Sequence, residues 1–328
     1  MTRPERPRYL HRPAPVCAQQ PGLVAESKVY AFGFDADTDA IDACADRYLN
    51  AARADGLVYR AVAPVSIVTF LDAARLTSTS DPYGYLPDKE AAFWTLMAAC
   101  TPHGDGFKMQ RLCWWNPWIW VDTAAAMATG REVWGWPKTM GSFDIPQAPG
   151  DDARFVGHTR VFPKLGPDCA GTIQPLVTVA RTDGGRLGPL PSVWGGAIEV
   201  AESVAHFVVD ALEGRDLPSW ALLVDIFELV RNVEVPMVNL LQLRDPADGT
   251  RAAYQSIVES TCHPTKFAGG GLLDGTWELT LLDVESAPIA ADLGLGGNTA
   301  RARWAAWVGM DFVVNEGREV WRAGGGRL

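Results

Sequence analysis

The sequence predicts an α+β fold that is predominantly β. Three observations carry this. After Gly141 the chain reads mainly as strand-length apolar runs. Helical apolar spacing is confined to a few segments. The composition, 48% hydrophobic and 21% charged over 328 residues, is that of an ordinary globular chain with enough material for a sizeable core.

The elements follow in order. Residues 1–25 read as a disordered or extended tail, because Pro4, Pro7, Pro13 and Pro15 interleave with Arg3, Arg6, Arg8 and Arg12. Residues 26–328 read as a single domain. Lys28 to Phe34 is a first strand. Asp37 or Thr38 caps a helix whose apolar positions are Ile41, Ala45, Tyr48, Leu49 and Ala52, and Gly56 ends it. Strands follow at Tyr59 to Pro64 and Ser66 to Ala73. Leu76 to Asp88 carries Pro82, Gly84 and Pro87 and reads as a loop. Glu90 to Ala99 is a strand, His103 to Gly106 a turn, and Leu112 to Val121 the return strand. Pro117 marks a bulge or an edge on it. Trp118 and Trp120 take one face there, Ile119 and Val121 the other. A short helix runs from Asp122 or Thr123 to Gly130.

Further strands are expected at Arg154 to Phe162, Ile173 to Arg181, Val238 to Leu243, Tyr254 to Thr261, Trp277 to Asp283 and Asp311 to Val314. Ile198 to Leu212 and Ser219 to Asn232 show helical spacing. They follow the Gly/Pro-rich stretch Gly184 to Pro191, so about 184–236 reads as a helical insertion: a packed decoration, a lid or an oligomer contact.

Several function classes are excluded as expectations. A net charge of −10 with no lysine or arginine cluster argues against nucleic acid. No apolar core in the first thirty residues marks a secretory leader, and no run reaches the ~18 apolar residues of a membrane span. Six scattered cysteines in a chain of this length read as free thiols in a cytoplasmic protein. Cys100, His103 and Cys113 lack a fourth ligand for zinc, so no metal is expected. Gly269 to Gly271 and Gly294 to Gly297 match neither a phosphate-binding loop nor a dinucleotide fingerprint, and read as turns. No cofactor is expected.

Lys138 is the residue that suggests chemistry. The chain has 6 lysines against 23 arginines, yet a lysine stands in Val133-Trp134-Gly135-Trp136-Pro137-Lys138-Thr139-Met140, among apolar and aromatic neighbours. Burial disfavours the charged form of an amine, whereas a guanidinium stays charged, so lysine suits a buried nucleophile where arginine does not. Neutral amines condense with ketones to form Schiff bases. The bland alternative is a lysine snorkelling past a tryptophan at a strand end. Thirteen tryptophans is a high count, and Trp114 to Trp120 is dense in them. They are read either as core or as the wall of a dry pocket.

Gly130-Arg131-Glu132-Val133-Trp134-Gly135-Trp136-Pro137-Lys138 resembles the motif of the acetoacetate decarboxylase family, in which Gly-Arg-Glu leads to an aromatic, a proline and the imine-forming lysine. Trp120-Val121-Asp122 resembles the family's preceding strand end. Ile257 to Thr261, Gly275 to Leu279, Ala287 to Ile289 and Leu293 to Leu295 follow its order more loosely. The resemblance spans roughly 25–322. It implies a cone-like twisted β-barrel, a homo-oligomer, and a lyase acting through a Lys138 Schiff base on a small-molecule keto acid or ketone. Glu90 is then the active-site glutamate.

Lys28 and Asp72 are the nearest residues to the family's carboxylate-reading arginine and second carboxylate. Trp94, Trp118, Trp134 and Trp136 would wall the pocket and favour a bulky or aromatic substrate. Two departures stand out: Thr139 replaces a second lysine, and no arginine lies in Glu26 to Tyr30. The same imine supports decarboxylation, aldol or retro-aldol cleavage, or dehydration. The alternatives are a non-catalytic small-molecule-binding barrel that retains the lysine and, more remotely, an oligomeric structural protein.

Overall fold

The computed structural model describes residues 7–10, 17–52, 56–81, 84–103, 106–146, 154–183 and 235–323. The expected helical insertion, apart from its last two residues, lies outside them.

The strands are β1 (Gly22–Asp35), β2 (Val58–Ala61), β3 (Val65–Ser78), β4 (Leu86–His103), β5 (Gly106–Val121), β6 (Lys138–Asp144) and β7 (Arg154–Val161). They continue as β8 (Thr172–Arg181), β9 (Val235–Arg244), β10 (Ala252–Leu272), β11 (Trp277–Leu281), β12 (Thr299–Arg301), β13 (Trp304–Val314) and β14 (Arg318–Arg322). The helices are α1 (Thr38–Tyr48), α2 (Ala124–Thr129) and α3 (Ile289–Leu293). The predominantly β prediction holds, and the sheet is twisted.

The ladder β5–β9–β10–β13–β1–β3–β4 closes on itself, because β4 pairs again with β5. A second run, β6–β7–β8–β11–β12, branches from β5. The pairings are antiparallel except where β5 runs parallel to β9 at Trp114 and Trp115 and parallel to β6 from Ile119 to Val121. Between the two lies Pro117, which has no N–H to donate to a ladder. The register against β4 slips there, Phe93 facing Trp118 and Thr95 facing Trp115, so the expected bulge is present. One strand thereby serves two sheets.

The two faces of the closed ladder bury different clusters. One holds Tyr30, Phe32, Phe70, Phe93, Trp115 and Trp120 with Phe155 and Trp277 from the branch sheet, and α1 packs on it. The other holds Ile67, Leu96, Trp114, Met237 and Val314 beneath Trp134 and Trp136.

Some boundaries differ from expectation. β1 begins at Gly22, so the last residues of the stretch read as tail are strand. α1 is capped by Asp37, whose side chain accepts from the N–H of Asp39 and Ala40, as expected, but it ends at Tyr48. Asn50 turns its amide to both backbone groups of Tyr59, at 2.9 and 3.0 Å, and so leaves the helix. The 76–88 stretch read as a loop is mostly strand at its two ends. Gly269 to Gly271 lie inside β10, at a register irregularity opposite β13, and not in a turn. Among the described residues no helix is long and apolar enough to cross a membrane.

Candidate functional site

Lys138 opens β6, one residue after Pro137, and its ladder partner on β5 is Ile119. The loop before it is compact. Thr123 caps α2, and the α-helix ends at Gly130 as expected, but the chain keeps turning. It widens into a π-helical turn over Gly130–Trp134, and Gly135, at φ +75°, makes the left-handed stop. A Cβ on Gly135 would lie 2.6 Å from the backbone nitrogen of Leu241 on β9, so both conformation and space require glycine there. The N–H of Trp136 donates to the carbonyl of Gly130 at 3.0 Å, and Arg131 donates to the carbonyl of Lys138 at 3.2 Å. The lysine backbone is therefore fixed from two sides.

The side chain is enclosed. Lys138 is 4% exposed. Its Nζ lies 2.9 Å from a carboxylate oxygen of Glu90 and 4.6 Å from the ring centre of Trp136. Trp136 stacks on Trp134 at 5.1 Å, and the Trp134 indole N–H donates to the carbonyl of Asn315.

The stem of the lysine crosses Gly130. A Cβ there would lie 2.6 Å from its Cδ and 3.0 Å from its Cε. Gly130 has ordinary right-handed helical angles, so it is space for the lysine and not backbone freedom that calls for glycine. Gly130→Ala is expected to lower turnover at least tenfold by moving the amine from Glu90. In a Lys138→Ala background the same change is expected to raise the melting temperature, as Gly→Ala does at an unstrained helical position. Equal thermal effects in both backgrounds would contradict the contact.

Glu90 reaches the lysine by period-two alternation. Its ladder partners are Leu71 on β3 and Val121 on β5, so it shares a face with Ala92, Ile67, Thr69 and Trp94. Trp94 donates its indole N–H to Thr69 at 2.9 Å. Of the residues singled out in the sequence, Lys138, Glu90, Trp94, Trp134 and Trp136 thus lie on one face.

Lys28, Asp72 and Trp118 do not join them. Lys28 pairs with Asp72, and Asp72 with Lys89, whose amine is 4.0 Å from it; this row lies on the opposite face, with Tyr30 and Phe70. A single-residue offset on a strand reverses the face, and the position that does face Glu90 on β3 is Leu71. Trp118 stacks on Trp120 at 6.1 Å and packs against the other core.

The second carboxylate near the lysine is one the sequence did not single out. Asp88, two residues before Glu90 and so on its face, is buried, and accepts a hydrogen bond from the Thr123 hydroxyl at 3.0 Å. Burial pushes its carboxyl up to about 8; Lys138 acts against the shift and Glu90 adds to it. Asp88 therefore holds a proton at neutral pH beside an amine and a carboxylate. The folded protein keeps this proton to higher pH than the unfolded chain, where the group titrates near 3.8. Its contribution to stability consequently falls as pH rises from about 4 through about 8 and is level above that. Asp88→Asn is expected to shrink the drop in melting temperature between pH 5 and pH 9 by roughly 2 °C or more. Parallel curves for the two proteins would contradict this. Cys262 also belongs here: burial, with Glu90 adding, pushes its thiol up to about 12, so it is a neutral group beside the carboxylate. Among the described residues no cluster of three His, Cys, Asp or Glu is arranged to hold a metal.

Residues 95–174, which include Lys138, match the family model of acetoacetate decarboxylase. No curated protein matches the sequence significantly. Among solved structures, the acetoacetate decarboxylase of Legionella pneumophila is 14% identical, with a TM-score of 0.57 over 97% of this chain and 92% of that one. A second acetoacetate decarboxylase is 12% identical, with a TM-score of 0.55 over 95% and 94%. An acetoacetate decarboxylase-like enzyme of Sphingomonas wittichii RW1 is 14% identical, with a TM-score of 0.52 over 95% and 98%. The lysine-bearing segment thus matches the acetoacetate decarboxylase family model, and the chain has a fold like those of solved acetoacetate decarboxylases.

Proposed function

We propose that this protein is a lyase that forms a Schiff base between Lys138 and the carbonyl carbon of a keto acid or ketone. The observation that carries the reading is the enclosed amine itself: a lysine buried under Trp136, its stem laid over a glycine, its Nζ 2.9 Å from Glu90.

The chemistry follows from the groups present. Glu90 takes a proton from the ammonium, and the free amine adds to the carbonyl carbon. The carbonyl oxygen leaves as water after gaining two protons, one relayed from the adding amine nitrogen and one from the protonated Asp88. The protonated imine then accepts the electron pair of a breaking bond alpha to it, whether to a carboxylate carbon, a hydroxyalkyl carbon or hydrogen. Aromatic walls exclude water, which protects the imine from hydrolysis and strengthens the Lys138–Glu90 interaction. Thr139 is exposed on the other side of β6, so the second lysine of the family has no counterpart beside the amine. The closed ladder takes strands from Gly22 to Val314, which supports reading the described chain as one domain.

Proton exchange tests this reading. An imine interconverts with its enamine, so the protein should speed deuterium uptake alpha to the carbonyl of at least one member of a panel. Suitable members are acetone, pyruvate, acetoacetate and an aromatic methyl ketone, followed by NMR in deuterated water. Lys138→Arg should exchange no faster than buffer. Wild-type exchange at the buffer rate across the panel, with binding of a carbonyl compound retained, would favour the binding barrel.

A further inference from the structure

Asn116 and Asn239 carry an inference that rests on the imine reading and narrows its substrate. Trp114 and Trp115 of β5 pair in parallel with Met237 and Val238 of β9, and the residues just beyond are Asn116 and Asn239. Asn239 follows Met237 by two, so it takes the face of the cluster that holds Trp134 and Trp136. Asn116 occupies the bulge opposite Trp94, which lies on the Glu90 face. It stands three residues before Ile119, the ladder partner of Lys138.

Asn116 is 0% exposed and Asn239 is 1% exposed. Neither the oxygen nor the nitrogen of either amide has a hydrogen-bond partner among the described residues, and the Trp136 indole N–H on the same face has none either. Buried amides left unpaired are costly, and two of them, each one residue past the last ladder pair of neighbouring strands, are not needed for packing, since leucine fills the same volume. Such groups are retained where something else completes their hydrogen bonds.

What completes them is constrained by charge. The amides are neutral, and each both donates and accepts. On this face the buried cation among the described residues is Lys138, already paired with Glu90 and close to Asp88. An anionic substituent buried at the amides would have no counter-ion of its own, and an uncompensated buried charge is strongly disfavoured.

We propose that Asn116 and Asn239 form the specificity subsite of the Lys138 centre, and that they bind a hydroxyl group of a neutral hydroxylated ketone. The hydroxyl donates to one amide oxygen and accepts from the other amide nitrogen. Rejection of the analogue lacking that hydroxyl follows, because it would leave both amides unpaired.

Matched pairs of ketones test this: hydroxyacetone against butanone, and 4-hydroxybutan-2-one against pentan-2-one. Half-saturating concentrations for borohydride-trapped adduct are compared in wild type, Asn116→Leu and Asn239→Leu. At least one hydroxy ketone is expected to be captured at about tenfold lower concentration than its partner by wild type. Either leucine variant should lose that preference. The variants should melt no lower than wild type, because they remove unpaired polar groups. Equal capture of both members of each pair by wild type would overturn the subsite, as would a preference that survives both variants. A large fall in melting temperature would likewise overturn it, by making the amides structural. If no adduct forms with any ketone, the imine reading fails by itself. Calorimetric titration of the same pairs then decides the subsite alone, a hydroxyl preference removed by leucine supporting it and no preference refuting it.

Discussion

Lys138→Arg is expected to abolish covalent capture of every carbonyl compound and to lower turnover by about four orders of magnitude or more. The guanidinium keeps the positive charge and so keeps an ion-pair partner for Glu90, but it is never a neutral nucleophile at working pH. Because arginine is bulkier over Gly130, Lys138→Met serves as a second variant. It fills the space of the lysine stem without charge and should be equally inactive. The two outcomes for binding are instructive. A non-catalytic barrel that uses Lys138 only as a cation should hold its ligand in the arginine variant. An imine enzyme should lose turnover whether or not the ligand still enters. Turnover within tenfold of wild type in either variant would remove Lys138 from the chemistry.

Glu90→Gln should have the next largest effect. The change preserves size and one hydrogen bond to Nζ but removes the proton acceptor 2.9 Å away. General acid–base assistance is worth roughly 10²- to 10⁴-fold, so turnover should fall by that much. Borohydride should still trap an adduct on Lys138, since the amine remains. A cost in stability accompanies this, because a buried ammonium is left without its counter-charge. Turnover within a few-fold of wild type would make Glu90 a partner that only orders the lysine. Loss of adduct as well as turnover would show that it is needed to free the amine in the first place.

The parts of this site that were legible in the sequence were the local ones. The lysine motif is contained in nine residues, Gly130 to Lys138, and its oddity shows without any partner: a lysine in a tryptophan-rich run of an arginine-preferring chain. Pro117 announced a bulge because a missing N–H is a local property. Glu90 was named through resemblance, since nothing near it in sequence says that a residue 48 positions later will meet it.

The misplacements also have physical causes. Asp72 differs from the position that faces Glu90 by one residue, and one residue is the whole difference between two faces of a strand. Trp118 was counted with the pocket because density of tryptophan does not say which face each ring takes; its ladder partner Phe93 commits it to the other core. Asp88 is not legible in the sequence, because Pro82, Gly84 and Pro87 make its surroundings read as a loop, and a loop has no face. Asn116 and Asn239 are brought together by a parallel pairing between strands over a hundred residues apart, where no periodicity reports the register.

Reduction with borohydride after incubation with carbonyl compounds, followed by digestion and peptide mass mapping, tests the central claim most directly. The panel is β-keto acids, 2-oxo acids, hydroxy ketones and aromatic ketones. The expected result is a stable adduct on the peptide carrying Lys138 and on no peptide carrying Lys28, Lys89, Lys108, Lys164 or Lys266, formed with some members of the panel and blocked by others. Folded protein that yields no adduct at Lys138 with any member, or that is labelled equally at its other lysines, would contradict the account.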